Sequence, residues 1–459
     1  MTTPAPHAPR RLFTALLGLT IIRDLLSIHV PLTLFPKDGD FVMPWFEWLP
    51  LPTASLFTTL FAHICLVAMA VAAVRMVASA HVRWSPVLLL FFYGWAFASD
   101  QRDYTSNQYL LLLALGLVAI WRPTGIGLDW GRLTGRVLIS SVYLAALSAK
   151  LDAAWLSGFV FDESVRHYGT LWPRLLDDPS PALSQTLAVG TMAVEAALLV
   201  GLWIPRLRRG AMVLGVAFHI GIELLLPVRT FSYVMVAGYV LFLSPGQAQA
   251  LCHRIEGRGP LVGLAAALGI AIAFNVLGVY PLPLEALALV TVGALLGLVS
   301  SRRSPSPTQP FSGWPPRLAA ATAGVWLLIH GALLAKPLLG GDDRFAFRMF
   351  RQVLIVGADT RVKLEGRWMK FPMHGATAYW PEGKAKYYWE SWAEHQRFLQ
   401  AYAEWAHVQG GAEATRVVAR FRVNGGPTQV MVFTPGEPPS PLSTAPAAAG
   451  SSETAPTGP

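Results

Sequence analysis

Long apolar blocks alternate with short loops rich in arginine, proline and glycine along most of the chain. A helix needs roughly 20 mostly apolar residues to cross the hydrocarbon core of a bilayer. Several of the blocks are shorter than this. The pattern predicts eleven membrane spans, at residues 13–34, 54–74, 86–100, 106–121, 136–150, 184–204, 210–226, 230–244, 259–280, 283–300 and 318–336.

Beyond residue 337 the pattern is of another kind. The stretch Tyr388–Ala406 carries Phe398, Leu399, Tyr402 and Trp405 at helical spacing, which predicts an amphipathic helix. The stretch Arg416–Phe433 is predicted to form a β-hairpin because apolar residues alternate with mostly charged ones and a turn sequence follows. Its apolar positions are Val417, Ala419, Phe421 and Val423, and its turn is Asn424-Gly425-Gly426.

These patterns predict an all-α polytopic membrane helix bundle with a small α+β extracytoplasmic C-terminal domain. The last residues are Pro, Ala, Ser and Thr with few bulky side chains, which is typical of a disordered tail. The predicted regions are a cytoplasmic N-terminus (1–12), a transmembrane domain (13–250), additional transmembrane helices (251–337), the α+β domain (338–435) and the tail (436–459).

The distribution of charged residues over the loops predicts how the spans are oriented in the membrane. The net charge is +9, but the arginines are spread over many loops instead of being clustered, so we expect no nucleic-acid partner. Arginines recur in every second loop, and the loops between carry few. By the positive-inside rule, the protein is predicted to lie in the plasma (inner) membrane with its N-terminus in the cytoplasm and its C-terminal domain outside.

Lys150 is the first candidate for chemistry, because an ionisable group inside an apolar segment costs about 2.5–3.5 kcal/mol to insert. It stands near the predicted outer end of the fifth span, among Leu147, Ala149 and Leu151. One interpretation is a lysine that reaches up to the headgroups, with only its aliphatic stem in lipid. The other is a catalytic base, which requires an uncharged amine in apolar surroundings.

Other polar residues fall inside the predicted spans. His219 and Glu223 are four residues apart and share one helix face, so they form either a proton-exchanging pair or a structural link between spans. Glu195 lies mid-span and is either protonated or paired with Arg23. Arg23 and Asp24 are each expected to contact a partner on another span and so form a structural polar clasp. We predict no metal site and, from Cys65 and Cys252, no disulfide.

Several of these stretches together resemble one known family, the vitamin K-dependent γ-glutamyl carboxylases and their bacterial relatives that share the horizontally transferred transmembrane domain. The resemblance runs in order from about Arg11 to Pro245. The blocks that carry it are Asp100–Tyr109, Ala149–Gly158, Phe218-His219, Thr230–Met235 and Leu241–Pro245, with a weaker one at Arg344–Phe350.

The resemblance implies an enzyme that oxidises a reduced naphthoquinone, such as reduced vitamin K, with O2 and uses the base so generated to carboxylate glutamate with CO2. It assigns Lys150 as the base that deprotonates the hydroquinone. We predict His219 as a second catalytic residue, the lipid bilayer, the quinone and a Glu-containing peptide or protein as partners, and cofactor binding by Asn107, Gln108, Tyr109, Trp155 and Glu223.

The chain also departs from the family pattern. Gln108 stands where the family has a histidine, one lysine stands where carboxylases commonly have two, and the outer domain is short. The long loop from about Asp152 to Pro181 is expected to cover the site. The alternative is a non-catalytic membrane protein that binds a lipid or peptide or protects against a membrane-active peptide. A lysine amine exposed to solvent or linked to a carboxylate, with no cavity beside it, would overturn the enzymatic hypothesis and leave that alternative.

Overall fold

The structure is a computed structural model, and it forms two compact units, one up to residue 353 and one from residue 354 onward. It describes residues 8–26, 56–78, 84–99, 106–121, 129–168, 180–225, 230–252, 316–335, 354–370, 386–388, 392–423 and 427–441.

The first unit is built from helices. A 3-10 turn, Val240–Phe242, follows its tenth helix, and residues 245–252 are also helical. The helices are α1 (Ala8–Leu26), α2 (Leu56–Ala78), α3 (Ser85–Ser99), α4 (Ser106–Ile120), α5 (Trp130–Ala149), α6 (Ala153–Leu156), α7 (Phe159–Tyr168), α8 (Pro181–Gly201), α9 (Arg208–Leu225), α10 (Thr230–Tyr239) and α11 (Pro316–Ala335).

Each predicted span that falls within the described residues coincides with one of these helices. The spans predicted at 259–280 and 283–300 lie outside the described residues. Among the described helices, α8 is the one long and apolar enough to cross a membrane by length and composition. Shorter apolar stretches occur in α2, α3, α4, α10 and α11. The helical character is therefore confirmed, and the number of membrane crossings stays a prediction.

Apolar residues cover both the buried and the exposed sides of several helices. In α2, Met69 and Met76 are buried, whereas Val67 and Val71 are exposed. In α11, Leu328 is 74% exposed. A helix that is hydrophobic around its whole circumference is typical of a protein interior or of lipid. Because these side chains are not in the interior, they form a surface suited to lipid.

Three hydrogen bonds show which ends of the helices lie side by side. Arg132 and Arg136, in the first turns of α5, donate hydrogen bonds to the Leu241 carbonyl after α10, at 2.7 and 2.9 Å. Trp121, just after α4, donates from Nε1 to Asp129 at 2.8 Å, just before α5. The N-terminal end of α5 therefore lies beside the C-terminal ends of α4 and α10. The C-terminal end of α5, with Lys150, lies at the end of the bundle where α4 and α10 begin.

The predicted long loop after Lys150 is wrong over its first half, which holds the two helices α6 and α7. Asp152 caps α6 by accepting a hydrogen bond from the Trp155 backbone N–H at 2.8 Å. Gly158, between α6 and α7, has a φ of +82°. A Cβ at Gly158 would lie 2.5 Å from the backbone nitrogen of Gln185 in α8. The segment after Lys150 is thus a compact helical turn packed directly on α8.

We expect Gly158→Ala to destabilise the protein by about 1–3 kcal/mol, because a left-handed backbone conformation and a backbone clash coincide there. The matched control is Gly190→Ala in α8, where an added Cβ would meet nothing within 4 Å. That change should be neutral or stabilising by up to about 1 kcal/mol. Thermal unfolding of the two purified variants in the same detergent compares them, and equal midpoints would contradict the assigned packing.

The described residues of the second unit form an antiparallel sheet and one helix. The strand order is β2-β1-β4-β5-β6, and β3 also pairs with β1. The helix contributes Leu399, Tyr402, Ala403 and Ala406 to the core. The elements are β1 (Leu354–Leu364), β2 (Arg367–Lys370), β3 (Lys386–Tyr388), α12 (Trp392–Gln409), β4 (Ala414–Val423), β5 (Gln429–Phe433) and β6 (Ser440–Pro441).

The predicted amphipathic helix and hairpin are confirmed as α12 and the β4–β5 pair. The turn predicted at 424–426 lies outside the described residues. The sequence patterns did not identify β1, although β1 pairs with β4 along ten residues, from Leu354 to Lys363. The pairing of β6 with β5 extends the sheet to residue 441, within the segment predicted to be a disordered tail.

Candidate functional site

Lys150 occupies the C-terminal end of α5, where the helix stops and the chain turns into α6. It is the C-cap residue, and its backbone N–H donates to the Leu147 carbonyl at 3.1 Å. Its side chain points into the unit, and the residue is only 3% exposed. This burial contradicts the interpretation of Lys150 as a lysine that reaches out to the headgroups. The amine is held inside the helix bundle.

The partner of Lys150 is Glu195, in the middle of α8. Lys150 Nζ donates a hydrogen bond to Glu195 Oε1, and both side chains are buried. Glu195 lies on the same face of α8 as the buried Ser184, Ala188 and Leu198, so helical spacing aims it at α5. The amine is thus linked to a carboxylate, which is one part of the condition that counts against the enzymatic hypothesis, and the suggested pairing of Glu195 with Arg23 is wrong.

The Trp155 ring packs beside this pair. Lys150 Nζ lies 5.1 Å from the centroid of the Trp155 ring, within range of a cation–π contact. The indole Nε1 donates to the Ala188 carbonyl of α8 at 3.2 Å, which anchors the ring. The stretch Ala149–Gly158 therefore supplies a buried amine, a helix cap, an aromatic anchor and a tight turn. Every part except the amine has a packing role.

His219, in α9, lies in a second buried polar group. Its Nε2 shares a hydrogen bond of 2.9 Å with the Tyr143 hydroxyl of α5, which also bonds to the Tyr239 hydroxyl of α10. The Tyr143 hydroxyl has one proton, so it can donate to only one of these two neighbours. His219 is 1% exposed, and its Nδ1 has no hydrogen-bond partner among the described residues.

The two groups meet along α5. Tyr143 and Lys150 are seven residues apart and so lie on one face of that helix. The helix α8, which carries Glu195, packs against α5. Glu195 Oε2, like His219 Nδ1, has no hydrogen-bond partner among the described residues. We call these five residues the polar core: Tyr143, Lys150, Glu195, His219 and Tyr239.

Sequence reasoning found three members of the polar core and missed Tyr143 and Tyr239. A signal was present, since a tyrosine in an apolar span needs a partner for its hydroxyl, and Tyr143 precedes Lys150 by two helical turns. Tyrosine is common at helix ends near membranes, however, and this made the signal easy to overlook. Only the packing of α5, α9 and α10 shows that the Tyr143 hydroxyl reaches His219 and that the Tyr239 hydroxyl reaches Tyr143.

The other predicted site residues, on α4 and α9, are not members of the polar core. Asn107 and Gln108 are half-buried and Tyr109 is buried in the first turn of α4, at the same end of the bundle as Lys150. Because α4 begins at Ser106, Asn107 lies within the helix and not at its cap. Glu223 lies in α9, but its side chain is outside the described part of the structure, so its pairing with His219 stays a prediction.

Arg23 and Asp24 form a separate link between α1 and α10. Both oxygens of the Asp24 carboxylate accept from the Thr230 hydroxyl, at 2.8 and 2.7 Å. The Arg23 guanidinium lies 4.8 Å from the Tyr233 ring centroid. These contacts join the first helix to the start of the block Thr230–Met235, as expected for a polar clasp between helices.

A family model described as HTTM domain matches residues 7–246. The chain belongs to the HTTM domain family. It is therefore a membrane protein. The matched region holds the complete polar core, whereas α11 and the second unit lie outside it. No curated protein and no solved structure matches the chain.

Proposed function

We propose that this HTTM protein is an integral-membrane enzyme of the vitamin K-dependent carboxylase type. It oxidises a reduced naphthoquinone with O2 and uses the reaction to carboxylate glutamate in a peptide or protein, or for a related reaction. The observation that carries the proposal is the Lys150–Glu195 pair, buried inside the matched domain, whose Glu195 Oε2 has no hydrogen-bond partner among the described residues. Its predicted N-in topology, with the second unit outside, is part of the same proposal.

Energetics favour a chemical role for this pair. A buried ion pair is weak support for stability, because apolar residues of similar volume often stabilise a protein as well or better. Ionisable residues within membrane segments are costly and tend to be functional. Lys150 and Glu195 have each other as the nearest charged partner among the described contacts. A structural explanation alone therefore accounts poorly for their presence.

The pair also changes the mechanism expected from sequence. The hydrogen bond between two ionisable groups contains one proton, which can reside on either partner. When Glu195 holds this proton, Lys150 Nζ is an uncharged amine and can accept a proton from a substrate. Glu195 is thus proposed as a positioning residue that sets the protonation of Lys150, and this replaces the isolated lysine of the original hypothesis.

The unsatisfied atoms of the polar core suit a hydroquinone. Glu195 Oε2 can accept a hydrogen bond from a hydroxyl group, and so can His219 Nδ1 when His219 Nε2–H donates to Tyr143. The buried Trp155 ring lies against Lys150 Nζ. When bound, a reduced naphthoquinone supplies the reducing equivalents that react with O2. The chain's part is to hold the hydroxyls and to accept a proton at Lys150.

A second candidate function is a non-catalytic membrane protein that binds a lipid or peptide. The observation that favours it is that Lys150 has a hydrogen-bonded carboxylate partner, which could act as a clasp between α5 and α8. Gln108 agrees with this alternative, because an amide side chain cannot titrate.

The deciding experiment supplies reduced vitamin K, labelled CO2 and a Glu-containing peptide to the purified full-length protein. We expect the quinone epoxide and labelled peptide to appear together. Epoxide without labelled peptide would identify an oxidase that lacks the second half-reaction. If neither product rises above the level of a heat-denatured sample, the second candidate function is the correct one.

A further inference from the structure

The open face of the second unit's sheet is strongly basic. Along β4 the odd-numbered residues are buried beneath α12 and the even-numbered ones face away from it. The register places the corresponding residues of β1 and β2 on the same open face. The basic side chains of this face are Arg361, Lys363, Lys370, Arg416, Arg420 and Arg422. We call this surface the basic sheet face.

The charges on this face are not balanced by acidic neighbours in the described residues. Asp359 pairs with Arg361 at 2.9 Å, and Glu413, just before β4, lies 3.8 Å from Lys363. Both pairs are at least one-third exposed, so they contribute little to stability. Six basic groups thus face two acidic ones, and Arg416, Arg420 and Arg422 are all exposed.

The register brings like charges into direct opposition. Arg361 is the partner of Lys370 on β2 and of Arg416 on β4, so three cations form one row across three adjacent strands. Neighbouring strands lie about 4.7–4.9 Å apart, and like charges directly opposite each other destabilise a sheet. Such a row is unfavourable in isolation and becomes favourable when anions lie over it.

We propose that the basic sheet face docks on the anionic phospholipid headgroups of the membrane that holds this protein. The face is a sheet surface and not a groove, which suits a planar array of phosphates better than a single extended peptide. Four of its six cations are arginines, whose guanidinium groups match phosphate oxygens in a bidentate manner. Trp368, 49% exposed and paired in register with Lys363, lies on the same face, and tryptophan favours the membrane interface.

Chain connectivity supports the same partner. The apolar helix α11 ends at Ala335 and β1 begins at Leu354. Even fully extended, residues 336–353 can span at most roughly 60 Å. A unit tethered this closely to a membrane helix meets headgroups at a high effective concentration. This proposal is independent of the enzymatic one, because it uses none of the residues of the polar core.

The test uses the full-length protein with a fluorophore on the uncharged Val418, which lies among the basic residues on the open face. The native cysteines are first replaced by Cys65→Ala and Cys252→Ser, and Val418→Cys carries the label. A matched control carries it at Val408→Cys, an exposed position on α12. Both proteins are reconstituted into vesicles of phosphatidylcholine, with or without phosphatidylglycerol. Quenching by a nitroxide on the lipid headgroup is then measured.

We expect phosphatidylglycerol to increase quenching at position 418 and not at position 408. Each basic residue near an anionic surface strengthens binding about fivefold, so Arg361→Gln, Arg416→Gln and Arg420→Gln together should reduce the docked-to-undocked ratio about a hundredfold. The triple variant should remain folded, since it removes like charges that oppose each other, and its unfolding midpoint checks this.

Three outcomes would overturn the proposal. The first is equal quenching in the two vesicle types, or no change in the triple variant. The second is loss of quenching in inorganic phosphate but not in chloride of the same ionic strength, which would indicate a small-anion site. The third is displacement by soluble polyglutamate under the same matched conditions, which would identify an acidic polypeptide as the partner.

Discussion

Lys150→Ala should lower hydroquinone-dependent epoxide formation by about 10²–10⁴-fold, the range for loss of a positioned general base. The reason is geometric as well as chemical. Lys150 Nζ lies between Glu195 and the Trp155 ring, where a proton can pass to the amine while Glu195 accepts the one already present. Removing the amine leaves no other group of the polar core in that position. The measurement is the initial rate of epoxide formation by purified protein, with expression and folding matched to the wild type.

Lys150→Arg is the sharper control. An arginine keeps the positive charge and can still bond to Glu195, but it cannot be deprotonated in a protein. We expect Lys150→Arg to retain a folded protein and to be as inactive as Lys150→Ala. Epoxide formation at a rate near that of the wild type in the arginine variant would show that the positive charge, and not an uncharged amine, is what the reaction requires.

The second large effect concerns stability. Lys150→Met alone and Glu195→Leu alone should each destabilise the protein by about 3–5 kcal/mol, because each leaves an unpaired charge buried between α5 and α8. The double variant replaces both partners by apolar side chains of similar size. It should be close to the wild type in stability, within about 1–2 kcal/mol, and it should have no activity. Unfolding of the four proteins in a common detergent completes the double-mutant cycle.

The cycle separates the two proposed functions. Strong coupling in stability together with loss of epoxide formation in every variant agrees with a catalytic pair. Strong coupling in a protein whose wild type forms no epoxide identifies a structural clasp. If the two single effects simply add in the double variant, Lys150 and Glu195 do not interact as assigned. Leu151→Ala, next to Lys150 and 65% exposed, serves as a control and should change stability by less than about 0.5 kcal/mol.

Much of the fold follows from local patterns. Apolar blocks marked each described helix of the first unit from α1 to α5 and from α8 to α11, because blocks of this length form regular helices in any apolar environment. The alternation of apolar and polar residues predicted β4 and β5, and the helical spacing of apolar residues predicted α12. The helical turn after Lys150 was missed because a short helix such as α6 depends on a single cap, here Asp152, and on packing against α8.

The strand β1 was missed for a related reason. Its residues Val356–Leu364 include Gly357, Asp359 and Arg361, so the apolar alternation is weak. The strand is specified by its pairing with β4, from which it is separated in the chain by residues 365–413. A weakly patterned segment beside one strongly patterned strand adopts the structure that satisfies that strand's backbone groups.

By itself the sequence determined the helical class, the amphipathic helix and hairpin near the C-terminus, and the choice of Lys150 and His219 as buried groups that need an explanation. Each of these features depends on the residues within one short stretch of the chain. Only the tertiary structure decided that Glu195 pairs with Lys150, that Tyr143 links His219 to Tyr239, and that six cations share one sheet face. The physical reason is that an ion pair, a hydrogen-bonded group or a charged surface is a relation between segments far apart in the chain. Hydrophobic periodicity identifies the face on which a residue lies, and only packing identifies what it meets there.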